Sequence, residues 1–164
     1  NENIGKLTAV EKRTFRIPDY NSFTIALDIT LDTDNYYGDI VKFAGLTYVI
    51  PHDDMPKPYL KTGDKIYTSQ NILGNSDRWR KMERSTNGVW YPPQKIKQMH
   101  LVFTYEQGIL RTYINGMLDQ SVFINNLLLS DLTTSGFNGV INNLLVYSRS
   151  LSQVEVKEHL GSIN

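Results

Sequence analysis

The sequence predicts an all-β fold of antiparallel strands that ends in one short C-terminal helix. From Met99 to Tyr105 the large apolar residues stand at every second position, which is the period of a strand with one buried face. Further along, Asn115-Gly116 separates two strand-like runs. This dipeptide is the strongest short-range hairpin signal, because a type I′ turn needs positive φ at both central residues.

The N-terminal third supplies further strands. Residues 1–22 predict one or two edge strands, and we expect Pro18 to end them because proline cannot donate to a sheet ladder. Residues 23–31 alternate with every second side chain apolar, which predicts a strand with one buried face. Residues 40–50 are apolar and β-branched and predict one or two strands, bent at Gly45.

The middle of the chain is harder to assign. Residues 51–64 contain three prolines and predict a loop, whereas 66–67 and 72–73 predict short strand pieces. Long loops in a β domain are often functional, and unrecognised short strands are the alternative.

In the last third of the chain, turn and helix-cap motifs predict where the strands and the helix begin and end. Residues 106–108 predict a turn, 109–114 and 117–124 two strands of a meander, and 140–147 another strand. Ser152 and Glu155 have the spacing of a capping box, in which each side chain binds the other residue's backbone N–H. A helix of about two turns should follow, ending near His159 with Gly161 just beyond it.

These motifs resemble the concanavalin A-like, laminin G-like jelly-roll superfamily. The resemblance covers residues 99–160, and the strand at 23–31 is similar to an early strand of that family. The matching residues are His100, Tyr105, Tyr113, Asn115, Gly116, Gly139, Ile141, Tyr147, Arg149, Leu151, Ser152 and Glu155. The resemblance implies an antiparallel two-sheet jelly-roll sandwich. We expect residues 1–164 to form one such domain, a module of a larger protein.

The resemblance leaves calcium open as a cofactor, and no other cofactor is expected. The family often has two aspartates where this chain has Asn142-Asn143, and an amide oxygen ligates calcium without contributing charge. Acidic loop residues are the alternative ligands, at Asp32, Asp34 and Asp39 or at His52, Asp53 and Asp54. Zinc is disfavoured because there are three scattered histidines and no cysteine.

Charge and composition exclude several function classes. The chain has 17 basic and 17 acidic residues, so its net charge is zero, which argues against nucleic-acid binding. No apolar stretch reaches the roughly 18 residues of a membrane span. The lack of cysteine favours a bacterial, phage or cytosolic origin over a small disulfide-bonded animal domain. Because the chain starts at Asn1 without a visible signal peptide, we expect an excised or processed module.

Aromatic residues in the middle loops are the candidate ligand site. An exposed ring can pack against the C–H face of a sugar while neighbouring polar side chains bind its hydroxyl groups. Trp79 is the first candidate because charged residues surround it. The other candidate ligand-binding residues are Tyr36, Tyr37, Trp90, Tyr91, Arg78, Arg80, Asp53 and Asp54, and Tyr59 and Tyr67 belong to the same set of aromatic residues.

Each of these residues also has a simpler interpretation. Trp90 follows Val89 and precedes Tyr91, which suits a residue that anchors a loop to the core. Arg78 and Arg80 suit an anionic glycan through the planar guanidinium fork, but they also suit a solvated, charge-balanced loop.

The sequence does not predict an enzyme. Glycoside hydrolases of this fold need two carboxylates flanking the scissile bond, commonly placed on one strand as E-x-D-x-x-E, and the chain has no such motif. His100 lies within a predicted strand and is expected to be a packed strand histidine.

We therefore expect a non-catalytic carbohydrate-binding or receptor-binding module of a secreted, cell-surface or phage tail protein. Its partner would be a glycan or a cell-surface polysaccharide, and the protein would act outside the cell or on a virion. Single-module glycan affinities are modest, so oligomeric display through the parent protein is expected. The alternatives are a structural jelly roll of a virion or surface layer and, less favoured, a glycoside hydrolase.

Overall fold

A computed structural model describes residues 2–3, 7–8, 13–31, 38–51, 57–70, 83–84, 90–91, 98–134 and 139–162. Within these residues the elements in chain order are β1 (Glu2–Asn3), β2 (Leu7–Thr8), β3 (Arg13–Tyr20), β4 (Phe23–Leu31), β5 (Gly38–Phe43), β6 (Leu46–Ile50), β7 (Tyr59–Thr62), β8 (Lys65–Thr68), β9 (Glu83–Arg84), β10 (Trp90–Tyr91), β11 (Gln98–Glu106), β12 (Ile109–Ile114), β13 (Met117–Phe123), β14 (Leu129–Thr134), β15 (Gly139–Tyr147) and α1 (Gln153–Ser162).

The strands form two large antiparallel sheets, as expected for a jelly-roll sandwich. The seven-stranded sheet has the order β1-β15-β4-β11-β12-β13, and β2 also pairs with β15. The six-stranded sheet has the order β3-β14-β5-β6-β7-β8. The last four strands of the six-stranded sheet and the last three of the other follow one another in the chain, so antiparallel pairs of consecutive strands build much of each sheet.

The core lies between the two sheets and follows from the period-two pattern. In β11 the side chains of Met99, Leu101 and Phe103 are buried in this core. Phe103 meets aromatic rings of the opposite sheet, with centroid distances of 4.7 Å to Phe43 and 5.3 Å to Tyr48. These contacts stabilise the packing of one sheet on the other, because aromatic rings bury large apolar areas.

Helix α1 covers a smaller apolar cluster on the outer face of the seven-stranded sheet. Val102 belongs to this face because it alternates with the core residues of β11. Leu151 and Val156 bring the helix onto the face. The capping box is formed, since Ser152 N donates to Glu155 Oε1 over 3.0 Å and Glu155 N donates to Ser152 Oγ over 3.2 Å.

Thr24 fixes the chain that leads into α1. Its buried hydroxyl donates to the carbonyl of Arg149 over 2.8 Å and accepts from the N–H of Leu151 over 2.9 Å. A single side chain therefore satisfies two backbone groups that the sheet ladder does not pair.

The variant Thr24→Val should lower the free energy of unfolding by about 2 to 4 kcal/mol, because it leaves buried backbone groups unpaired. Thr24→Ser keeps the hydroxyl and should cost about 1 kcal/mol for the lost methyl group. Urea unfolding of both variants measures the difference. Equal stability of the two variants would show that the hydroxyl contributes nothing.

Most strands predicted from the sequence are present. The strand at 23–31 is central in its sheet, and residues 38–50 form two strands joined at Ala44 and Gly45, both with positive φ. Asn115 (φ 51°) and Gly116 (φ 82°) form the predicted hairpin turn. The helix starts as predicted.

Four expectations were wrong in detail. Pro18 does not end its strand, because the β3–β14 pairing shifts register around it and a bulge tolerates a residue without an N–H donor. Residues 59–62 form a strand within the predicted loop, since β6 and β8 both pair with them. Strand β14 was not predicted, and it joins β3 to β5. Gly161 lies inside α1, which continues to Ser162.

Candidate functional site

Two edge strands meet along one side of the sandwich and form a groove. β8 is the last strand of the six-stranded sheet and β13 is the last strand of the other. Side chains bridge them: Gln120 Nε2 donates to the Tyr67 carbonyl over 3.3 Å, and Ser69 Oγ donates to Asp119 Oδ1 over 2.8 Å. We call this concavity the edge groove. It has a volume of about 490 Å³.

The side chains that line the edge groove combine one aromatic ring with several hydrogen-bonding groups. They include Tyr67, Thr68, Gln70, Leu118, Gln120 and Ser121. Tyr67 is half-buried and packs against the main core, so its ring is held in place. Gln70, Thr68 and Ser121 are exposed and available to a ligand.

A β-bulge explains why two neighbouring polar residues of β13 both have buried side chains. Thr112 pairs with Gln120 and Tyr113 pairs with Leu118, so Asp119 is an extra residue in β13. Such bulges re-aim side chains at sheet edges and are common next to functional sites. As a result both Asp119 and Gln120 are buried although they lie next to each other in a strand.

Buried polar groups lie behind the groove. The Asp119 side chain is 5% exposed, and Tyr48 is fully buried. Burial, and secondly the charge of Asp119, raise the pKa of the Tyr48 phenol well above its ordinary value. The phenol therefore stays neutral, and Asp119 is the one carboxylate among the described residues that line the groove.

A second concavity, of about 410 Å³, lies at one end of the sandwich. Amide side chains of Asn21, Gln107, Asn125 and Asn126 line it. Tyr105 forms part of its wall and is fixed there, since its hydroxyl donates to the Ile124 carbonyl over 2.6 Å. This end pocket has no charged side chain among its described lining residues.

Most of the ligand residues predicted from the sequence lie outside the described residues. These are Tyr36, Tyr37, Asp53, Asp54, Arg78, Trp79 and Arg80. Trp90 and Tyr91 form β10, which pairs antiparallel with Arg84 and Glu83 of β9, and only their backbone is described. Their roles therefore remain predictions.

Two other residues singled out from the sequence can be placed. His100 is a buried strand histidine, as expected, and is 2% exposed. Asn142 is the extra residue of a bulge in β15, and its Nδ2 donates to Thr30 Oγ1 over 2.7 Å. Of the calcium-ligand alternatives in the acidic loops, Asp39 is an exposed residue of β5, whereas Asp32, Asp34, His52, Asp53 and Asp54 lie outside the described residues.

The described part of the chain holds no cluster of three or more histidine, aspartate or glutamate side chains suited to a metal ion. Among the same residues, no helix is long and apolar enough to cross a membrane.

The edge groove was not predicted from the sequence, although its Tyr67 belonged to the set of candidate aromatic residues. Its signal was the polar pair Asp119-Gln120 inside the apolar run from 117 to 124. A polar pair within a strand indicates a bulge or a buried polar contact. The contact partner of Asp119 is Ser69, 50 residues earlier in the chain, and a local sequence pattern cannot identify so distant a partner.

Comparison with solved structures supports the architecture. The chain is similar to a structure of botulinum neurotoxin type C reported for its interaction with two ganglioside molecules, with TM-score 0.59, 13% identity and coverage of 93% of this chain and 40% of that one. It is also similar to a proposed carbohydrate-binding protein from Bacteroides ovatus, with TM-score 0.62, 15% identity and coverage of 96% and 47%.

A third similar structure is the heptameric SAP-like pentraxin of Limulus polyphemus, with TM-score 0.58, 10% identity and coverage of 96% of this chain and 76% of that one. The chain thus spans less than half the length of the first two proteins. At these identities the likeness establishes the jelly-roll fold alone. No protein-family model and no curated protein sequence matched the chain.

Proposed function

We propose that this chain is a non-catalytic carbohydrate-binding or receptor-binding module of a larger secreted, cell-surface or phage tail protein. The observation that carries the proposal is the edge groove, where a fixed tyrosine ring stands among exposed hydroxyl and amide side chains. A sugar presents an apolar C–H face to such a ring and hydroxyl groups to such polar neighbours.

Hydrogen-bonding capacity in the groove matches a polyhydroxylated ligand. The exposed Gln70 amide and the exposed Thr68 and Ser121 hydroxyls can both donate and accept, while the buried Gln120 uses its Nε2 to bind the Tyr67 carbonyl. Leu118, whose side chain is 44% exposed, adds apolar surface beside them. Because strands β8 and β13 carry all of these groups except Gln70, most of them are positioned before any ligand arrives, which lowers the entropic cost of binding.

The structural neighbours are compatible with this proposal. Ganglioside interaction is named for the botulinum neurotoxin type C structure, and carbohydrate binding is proposed for the Bacteroides ovatus protein. A complex of N-acetylneuraminic acid with the binding domain of the serotype D neurotoxin has TM-score 0.60 and 15% identity to this chain. We transfer only the class of ligand, a glycan, to this chain.

A glycoside hydrolase is less well supported than a binding module. Hydrolysis needs two carboxyl groups about 5 to 9.5 Å apart across the scissile bond. Among the described lining residues of the edge groove, Asp119 is the one carboxylate, and its Oδ1 accepts from Ser69.

The loop residues predicted from the sequence extend the proposed site. Gln70 lines the groove, and the segment that carries Arg78, Trp79 and Arg80 follows it in the chain. We propose that this segment contributes ligand contacts, with Trp79 as a second stacking ring. The two arginines would then favour acidic glycans through charge-assisted hydrogen bonds.

A glycan array probed with the chain tests the proposed function, with Trp79→Ala as the variant. We expect binding to a restricted set of glycans, weakened in Trp79→Ala while the thermal midpoint stays nearly unchanged. A large loss of stability with unaltered binding would instead make Trp79 a structural residue. Binding to no glycan would reject carbohydrate binding as the function.

One observation favours the structural alternative, an assembly domain. Edge strand β13 presents large apolar side chains to solvent, with Met117 47% exposed and Phe123 82% exposed. Exposed apolar edges promote association. Sedimentation of the chain over a range of concentrations separates the two functions, because an assembly domain self-associates whether or not glycan is present.

A further inference from the structure

Two histidines connect helix α1 to the sheet beneath it. His159 Nδ1 lies 3.3 Å from His100 Nε2, and the ring planes are within 22° of each other. On its other side, His100 Nδ1 lies 3.6 Å from Asp28 Oδ1, a distance too long for a direct hydrogen bond. A chain of three titratable groups therefore runs from α1 through β11 to β4.

The two ends of the helix are held differently. Its first turn is fixed by the capping box, by the buried Val156, and by Arg149, whose Nη2 donates to Glu155 Oε2 over 2.6 Å. In the second half of the helix, His159 is half-buried against the sheet, whereas Lys157 and Glu158 are exposed.

We propose that the His100–His159 contact is an acid-sensitive latch, which holds the second half of α1 on the outer face of the seven-stranded sheet and releases it when the histidines are protonated. At neutral pH one neutral ring donates to the other. When both rings are protonated, neither nitrogen can accept, and two positive charges face each other.

The pKa shifts of the two histidines determine whether acid opens or closes the latch. Burial, and secondly the charge of His159, lower the pKa of His100 to about 4, and burial lowers the pKa of His159. The packed state therefore binds fewer protons than an open state in which His100 has its ordinary pKa of 6.5. The latch is fully closed above pH 6.5 and is weakened as the pH falls from 6.5 towards 4.

Other charged groups around the latch change the extent to which acid weakens it but not the direction of the effect. Asp28 of β4 favours protonated histidine, but burial raises its own pKa. The ring of Tyr147 of β15 lies nearly perpendicular to the His159 ring, with the centroids 6.2 Å apart, while Arg111 of β12 acts on Tyr113 of the same sheet face. The remaining charged groups line the adjoining pocket: Arg149, Glu155 and Glu158.

The first turn should stay in place while the latch opens. Arg149, and then the Ser152 N–H, lower the pKa of Glu155 to about 2. The capping box thus keeps its charge throughout the range in which the histidines titrate, and acid frees residues 157–162 before it frees residues 152–156.

Amide hydrogen exchange measured by NMR tests the latch. After correction for intrinsic rates, protection of residues 157–162 should fall from pH 7.5 to pH 5, by up to about 30-fold through His100 if opening restores its ordinary pKa. Amides of β4 and β11 in the core should change much less. His100→Gln should remove most of the fall, leaving only the part due to His159, whereas His52→Gln, which changes the one histidine outside the latch, should retain all of it.

Titration of the imidazole signals in the unmodified chain supplies a second readout that does not depend on folding of the variant. His100 should titrate well below 6.5, with protection in residues 157–162 lost over the same range. An ordinary His100 pKa, protection independent of pH, or equal losses in the unmodified chain and His100→Gln would each overturn the proposal.

Discussion

Replacing Tyr67 with alanine is expected to lower the affinity of the chain for its glycan by about tenfold or more. Tyr67 is the one aromatic residue among the described residues that line the edge groove, and an aromatic contact is worth about 0.5 to 1.5 kcal/mol beyond the area it buries. A loss of about 1.4 kcal/mol corresponds to tenfold in affinity. Calorimetric titration with a glycan that binds on the array measures the change.

Tyr20→Ala is the matched control for this variant. Tyr20 is also a half-buried tyrosine that packs against the main core, but it lies on β3, at the opposite edge of the same sheet. Both variants should lose similar stability, and only Tyr67→Ala should lose affinity. If both lose affinity equally, the effect of Tyr67→Ala comes from general destabilisation. If neither does, the glycan does not use the edge groove.

Replacing Phe103 with alanine should have the largest effect on stability, a loss of about 3 to 5 kcal/mol. Phe103 is fully buried and contacts Phe43 and Tyr48 across the space between the sheets. Removal of its ring would leave a cavity that two sheets cannot close without moving together. Denaturant unfolding followed by circular dichroism measures the loss.

Phe123→Ala tests whether this effect depends on burial. Phe123 is 82% exposed on edge strand β13, so its removal should change stability by no more than about 0.5 kcal/mol. A comparable loss in both variants would contradict the assigned packing of the two sheets.

Strands that have a local sequence pattern could be predicted from the sequence. Alternation at 99–105 placed β11 correctly, and Asn115-Gly116 placed the following hairpin, because both signals depend only on neighbouring residues. Strand β14 was missed because its polar sequence, Leu129 to Thr134, is stabilised by strands β3 and β5, which come much earlier in the chain. Local propensity cannot report such distant pairing.

The candidate site was much less predictable. The edge groove depends on a bulge at Asp119 and on contacts between β8 and β13, which no local pattern reveals. The sequence favoured a set of aromatic residues in the middle of the chain, of which Tyr67 lines the groove. Trp79 and the other loop residues remain predictions, since they lie outside the described residues.

The latch and the groove lie on different parts of the sandwich. The histidine pair is on the outer face of the seven-stranded sheet, whereas the groove runs along the edge formed by β8 and β13. We therefore expect the glycan affinity of His100→Gln at pH 7.5 to equal that of the unmodified chain.

Mapping the bound glycan by NMR tests the central claim most directly. Amide signals would be followed while a glycan that binds on the array is added to the labelled chain. We expect saturable shifts at Tyr67, Thr68, Gln70 and Ser121, with little change in the end pocket at Asn21 and Asn125. Shifts confined to the end pocket, or an absence of shifts at the edge groove at saturating glycan, would contradict the account.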